Sequence, residues 1–126
     1  MAPTERWDSL PLHVEHIAEL RASGVSYEVA RARGYRTITK TVEAETLGFK
    51  RYQAPMTRMP GLLVPMYSPG TDKMPASHQI KMASPRRVRG RDLKYETPSG
   101  LANVLDLNPM HKDAASDPSR RLWVVE

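Results

Sequence analysis

The sequence contains no cysteine, which excludes disulfide bonds, thiolate zinc sites and a cysteine nucleophile. A chain without cysteine fits the reducing cytoplasm, and we expect that location. Aromatic residues make up 6% of the 126 residues and proline occurs 11 times, so we expect a modest core with long loops rather than a helical bundle. No apolar run approaches the roughly 20 residues that span a bilayer, and the N-terminus has no secretory h-region, so no membrane contact is expected.

Motifs that carry chemistry are also scarce. The sequence has no GxSxG nucleophile motif and no glycine-rich phosphate loop, and its carboxylates form no obvious acid–base pair. His13 and His16, with Glu15 and Glu19 nearby, have a spacing that can bind a metal on a helix. Because no third ligand converges on them, ordinary surface histidines are the preferred interpretation. We therefore expect no metal, no cofactor and no independent enzymatic activity.

Positive charge is concentrated in one segment. Residues 81–94 carry a net charge equal to the formal +5 of the whole chain, so the rest of the protein is balanced. A neutral body with one basic loop suggests contact with a polyanion such as nucleic acid, and a solvated surface loop is the alternative. Arginine binds phosphate bidentately, and a neighbouring aromatic ring can stack on a base. The candidate nucleic-acid-binding residues are Lys81, Arg86, Arg87, Arg89, Arg91, Lys94 and Tyr95, although Tyr95 could equally be a core residue.

The first part of the chain has helical patterns. Apolar residues at 14, 17 and 18 follow helical spacing up to Ser23-Gly24, and Ser26 is a good N-cap for a second helix over 27–33 that Gly34 ends. A third helix is predicted from Thr41, as its cap, to Gly48. The tight turn between the first two helices invites a helix-turn-helix interpretation with Arg31 and Arg33 outward, but we favour a helical cap that packs on the domain.

From residue 55 onward, prolines exclude long helices. The run GLLVPMY at 61–67 is typical of a strand, with 68–72 as a turn and 78–82 as its antiparallel partner. A further short strand is predicted at 93–95, and the chain is expected to be extended again over 103–107. The expected fold is therefore α+β, with short N-terminal helices followed by a small, mostly antiparallel sheet with long loops.

The chain divides into four expected parts. A flexible arm (1–11) precedes a helical subdomain (12–50) and a basal β-rich subdomain (51–121) that contains the basic loop. The last residues, LWVVE at 122–126, have a strand pattern that stops abruptly and would start a truncated core. This stop suggests a fragment of a longer reading frame, with a natural C-terminal edge strand as the alternative.

The order of these segments resembles the N-terminal part of a Toprim-linked family of unknown function in phage and plasmid primase-like proteins. The segments are HIAELRASGVS at 16–26, RGYR at 33–36, GLLVPMY at 61–67, HQIK at 78–81, KYETPSG at 94–100 and LWVVE at 122–126. The order is also similar to the basal subdomain of bacterial replicative primases. The resemblance implies that Lys94 and Tyr95 match a Lys-Tyr pair there, and that Glu126 matches the Toprim catalytic glutamate.

The resemblance also implies partners and a cofactor. A full Toprim parent would use Mg²⁺, held by downstream aspartates that this chain lacks, so Glu126 could be catalytic only in a longer chain. Downstream Toprim and helicase domains would be partners. We therefore expect a nucleic-acid-binding module of a mobile-element DNA replication protein that guides single-stranded DNA. The alternative is a protein-interaction module that docks on a replication or host protein through helices in 12–34.

Overall fold

Helices lie on both faces of an antiparallel sheet in the computed structural model, which describes residues 6–68, 75–101, 104, 106–110 and 117–121. The helices are α1 (Val14–Ala22), α2 (Tyr27–Arg33) and α3 (Thr41–Thr46), and a 3-10 turn follows at Ala54–Met56. The strands are β1 (Arg36–Ile38), β2 (Gly61–Met66), β3 (Ser77–Val88) and β4 (Arg91–Glu96), which lie side by side in that order. The predicted α+β fold is confirmed.

Local signals account for the helix boundaries. The Ser26 hydroxyl accepts a hydrogen bond from the Val29 amide, which caps α2 as predicted. Gly34 ends the helix with a φ of 73°, a left-handed conformation that costs glycine little. The third helix differs in detail, because Lys40 is its N-cap and makes no side-chain cap bond, while Thr41 is already helical.

The sheet extends further than the sequence pattern predicts. β2 and β3 pair antiparallel, with Leu63 opposite Ile80, which confirms the predicted hairpin. However, β3 continues to Val88 and pairs with β4, so residues 81–94 form strand, turn and strand rather than a loop. The register shifts between Lys81 and Arg86, and this bulge accommodates Pro85, which cannot donate a ladder hydrogen bond.

Two apolar clusters hold the helices to the sheet. On one face, Ile38, Leu63 and Ile80 pack with residues of α3 and the 3-10 turn. On the other face, Leu62 packs with Leu20 of α1, Ala30 of α2 and the buried Trp7. The first two helices are therefore a cap on the sheet. Part of the expected flexible arm is tied to the domain: Trp7 is in the core, and the Pro11 carbonyl accepts a hydrogen bond from the Thr37 amide.

Several predictions fall outside the described residues. They are the turn over 69–72, the strand over 122–126 with Glu126, and the parts of the 103–107 segment at 103 and 105. Within the described ranges, no helix has the length and apolar character needed to cross a membrane.

Candidate nucleic-acid interface

The basic residues lie on the β3–β4 hairpin. Its strands are joined by Arg89 and Gly90, with φ of 53° and 79°, the pair of left-handed conformations that suits a two-residue hairpin turn. We call residues 87–92 the hairpin tip. We call residues 80–86 and 93–96 the hairpin base, because they adjoin the core.

The hairpin tip presents three exposed arginines: Arg87, Arg89 and Arg91. The Arg87 guanidinium donates to the Gly90 carbonyl at 2.5 Å and lies 3.4 Å from the Asp92 carboxylate, but its side chain is 68% exposed, and an exposed ion pair contributes little. Among the residues that the structure describes, Arg89 and Arg91 form no ion pair. These guanidinium groups are therefore available to phosphates.

Arg86 is in a different environment at the hairpin base. Its guanidinium donates to both carboxylate oxygens of Glu96 at 2.9–3.0 Å, and the Glu96 side chain is 1% exposed. Glu96 also accepts from the Ala54 amide at 3.0 Å. The hydrogen bond to Glu96 raises the pKa of Arg86 above its ordinary value. Arg86 therefore neutralises a buried carboxylate that anchors the 3-10 turn, and we remove it from the phosphate-binding residues.

Two of the remaining predicted residues, Lys81 and Lys94, line a groove of about 320 Å³ between α1 and the bulge of β3. Lys81 pairs with Glu19 of α1, and its ammonium lies 5.4 Å from the centre of the Tyr95 ring. Lys94 lines the groove, as do Glu15 and Glu19. Because two carboxylates and two ammonium groups line the groove, this side of the hairpin has a mixed charge that suits a phosphate backbone less well than the tip.

A second basic segment, which the sequence patterns did not reveal, lies beside the hairpin base. Lys50, Arg51 and Tyr52 are exposed between α3 and the 3-10 turn, and Arg58 donates to the carbonyl of Pro85 in the bulge at 2.9 Å. The Arg86 guanidinium lies 5.3 Å from the centre of the Tyr52 ring. Two cations followed directly by an aromatic residue were a visible signal in the sequence, but the balance of charge outside 81–94 concealed it.

The two arginines of α2 differ in burial. Arg31 is exposed, but Arg33 is buried, so the expectation of an outward Arg33 is wrong. Its guanidinium lies 2.6 Å from the Asp106 carboxylate and donates to the Pro65 carbonyl at 3.1 Å. Arg33 therefore ties α2 to the end of β2, which leaves the helices as a packed cap without the pair of outward arginines that duplex recognition would use.

The two histidines at the start of α1, His13 at its N-cap and His16 within the helix, also differ in burial. His13 is exposed, whereas His16 is buried, so the interpretation of both as surface residues is wrong for His16. The Nδ1 atom of His16 lies 2.7 Å from the Thr37 hydroxyl. The pKa of His16 is lowered mainly by burial and secondly by the charge of His13. Within the described part of the chain, no three His, Asp or Glu side chains are grouped as metal ligands.

In comparisons with protein-family models, curated proteins and solved structures, the chain matches none. The Toprim resemblance therefore stays a prediction that rests on the sequence segments. Glu126, the residue that would act in a Toprim centre, lies outside the described residues. The magnesium chemistry of such a centre accordingly remains an expectation for a longer parent chain.

Proposed function

We propose that this chain is a nucleic-acid-binding module that guides single-stranded DNA. The single observation that carries the proposal is the hairpin tip, where Arg87, Arg89 and Arg91 are exposed on a tight turn. Guanidinium groups bind phosphates bidentately. Arg87 and Arg91 belong to successive cross-strand pairs and so lie on opposite faces of the hairpin, with Arg89 at the turn, and a single strand that crosses the tip can contact all three. Binding is then electrostatic, weakly selective for sequence and sensitive to salt.

A single strand is a better ligand than a duplex for two reasons. Recognition of the major groove needs an exposed helix with side chains that reach base edges, and the seven residues of α2 include the buried Arg33. Exposed tyrosines on both sides of the hairpin base, Tyr52 and Tyr95, offer ring faces that only unpaired bases can reach.

The wider part of the proposal concerns the parent protein. The resemblance of the segments at 16–26, 61–67 and 94–100 supports the N-terminal module of a primase-like Toprim protein of a phage or plasmid. In such a parent, the downstream Toprim and helicase domains are the partners, and catalysis belongs to the longer chain. The gene beyond codon 126 tests this part, since a glycine followed by a helix and an Asp-x-Asp pattern would support it.

The binding test is fluorescence anisotropy with a labelled single strand of about 20 nucleotides, longer than the roughly 4–16 nucleotides of common single-strand sites. The key variant combines Arg87→Gln, Arg89→Asn and Arg91→Gln. Asparagine tolerates the left-handed conformation at 89, and Arg86 is left intact so that the fold is preserved. Since each phosphate contact contributes about 0.7 to the log–log salt slope on single strands, the variant should lose about 2 from the slope.

A matched control carries the same change of net charge elsewhere. Arg21→Gln, Arg31→Gln and Lys40→Gln alter exposed residues on the helices and at the N-cap of α3, and this variant should keep the wild-type slope. Equal losses in the two variants would mean that net charge, and not the hairpin tip, determines binding. Absence of wild-type binding at low salt would overturn the proposal and favour the protein-interaction alternative through residues 12–34.

A further inference from the structure

Tyr52 is the aromatic residue that is best prepared to receive a base. It is 60% exposed, yet two contacts hold its side chain in place. The hydroxyl donates to the Ser99 hydroxyl at 2.6 Å, and the Arg86 guanidinium lies over the ring, 5.3 Å from its centre. With one face covered by Arg86, the exposed area belongs to the opposite face and the ring edges.

Arg86 is itself held in place by a buried partner. Its bonds to Glu96 orient the guanidinium, and Glu96 is anchored in turn by the Ala54 amide. The ring of Tyr52 is therefore ordered before any ligand arrives, and binding to an ordered group costs less conformational entropy. A cation on the far face of the ring also complements the π system of the tyrosine.

The charges around Tyr52 favour a phosphate backbone. Lys50 and Arg51 precede it as exposed cations, and Arg58 is exposed beside the bulge. Tyr95 lies in a less favourable place: it is 44% exposed, and the neighbouring Lys81 is already paired with Glu19. Of the two tyrosines, Tyr52 combines an open ring face with cations on the adjoining chain.

From these contacts we propose that Tyr52 is the base-stacking residue of the module and selects single strands over duplex. The inference rests on the proposed function and extends the binding surface from the hairpin tip to residues 50–58. The bound chemical group is an unpaired base that stacks on the free face of the ring, while Lys50, Arg51 and Arg58 contact the phosphates beside it.

The experiment compares Tyr52→Ala, Tyr52→Phe and Tyr95→Ala with the wild type, using one labelled single strand and a second in which abasic sugars replace the bases. Because the stacking of a base on an aromatic side chain stabilises the complex, Tyr52→Ala should weaken binding to the normal strand by roughly 5-fold to 150-fold. The salt slope should stay unchanged, since no charge is removed. Tyr52→Phe keeps the ring but loses the hydrogen bond to Ser99, so it should lose less affinity than Tyr52→Ala. Tyr95→Ala should also lose less affinity than Tyr52→Ala.

The abasic strand provides the decisive comparison. Wild type and Tyr52→Ala should bind it equally, because the group that stacks is missing. If the wild type binds single strands and Tyr52→Ala binds the normal strand as tightly, the stacking inference is overturned while the proposed function stands. A larger loss in Tyr95→Ala than in Tyr52→Ala would also overturn it. If the wild type binds neither strand, the proposed function and this inference fail together.

Discussion

The hairpin tip and the hairpin base contain arginines that are neighbours in sequence and opposites in environment. Arg87 at the tip has a side chain 68% exposed and a solvated partner, Asp92. Arg86 at the base is 25% exposed and faces a carboxylate that is 1% exposed. Two adjacent residues of β3 thus have different roles: Arg87 is available to a ligand, and Arg86 stabilises the fold.

The difference shows that charge density alone does not identify a binding surface. A run of arginines has one appearance in sequence, whether each side chain meets solvent or a buried acid. The burial of the partner determines whether an arginine stabilises the fold. A buried carboxylate that loses its cation destabilises the folded state strongly, whereas an exposed ion pair contributes little to stability. Predictions that separate the two regions should therefore show stability effects at the base and binding effects at the tip.

The largest expected effect is on folding, at Arg86. Arg86→Ala leaves the buried Glu96 without its cation, and we expect a loss of about 3–5 kcal/mol in the free energy of unfolding. Arg87→Ala removes an exposed cation and should change stability by no more than about 0.5 kcal/mol. Urea unfolding followed by circular dichroism measures both.

A second substitution sharpens the interpretation of Arg86. In Arg86→Ala with Glu96→Gln, the neutral amide can still accept from the Ala54 amide, so much of the lost stability should return. Equal stability of Arg86→Ala and Arg87→Ala, or no recovery of stability in the double variant, would contradict the structural role of Arg86.

The fold was predictable where the signals are local. Ser26 caps the start of α2 and the left-handed Gly34 ends it, and the apolar run at 61–67 indicates β2. The continuation of β3 past Met82 was not predictable, because charged residues and Pro85 are unusual in a paired strand. The bulge between Lys81 and Arg86 and the tight turn at Arg89–Gly90 make that strand possible.

The candidate site was predictable only as a concentration of charge. The sequence locates the basic residues, but the partner of Arg86 lies ten residues away in Glu96, and the anchor of Tyr52 lies 47 residues away in Ser99. Such pairings depend on the tertiary arrangement of β3, β4 and the 3-10 turn. Sequence patterns therefore could not separate Arg86 from Arg87, or favour Tyr52 over Tyr95.

A smaller effect extends the comparison to α2, where Arg33 is the buried arginine and Arg31 the exposed one. Arg33→Met keeps an apolar stem near the rings of Tyr35 and Tyr67 but loses the charged hydrogen bonds to Asp106 and Pro65. Because Asp106 retains access to solvent, we expect a loss of about 1.5–3 kcal/mol. Arg31→Met should lie within about 0.5 kcal/mol of the wild type. Thermal unfolding monitored by circular dichroism compares them, and equal melting temperatures would contradict the structural role of Arg33.

The smallest expected effect is a pH dependence of stability that distinguishes the base from the tip. His16 borders the groove at the hairpin base, near the positive charges of His13 and Lys81 and the negative charge of Glu15. Burial is the main reason that its pKa lies below 6.5 in the folded chain. The pKa of His78 is also lowered, by burial and then by Arg36.

The sign of the effect follows from proton binding. Well above their ordinary pKa of 6.5, these histidines are neutral in both the folded and the unfolded state, and their contribution to stability is complete. As the pH falls below that value the unfolded chain binds protons first, so stability decreases until the pH passes the folded pKa values. Urea midpoints measured from about pH 7.5 to about pH 5 should fall in the wild type and in Arg87→Gln alike. The fall should be smaller in His16→Gln and in His78→Gln, and an undiminished fall in His16→Gln would contradict a lowered pKa of His16 in the folded chain.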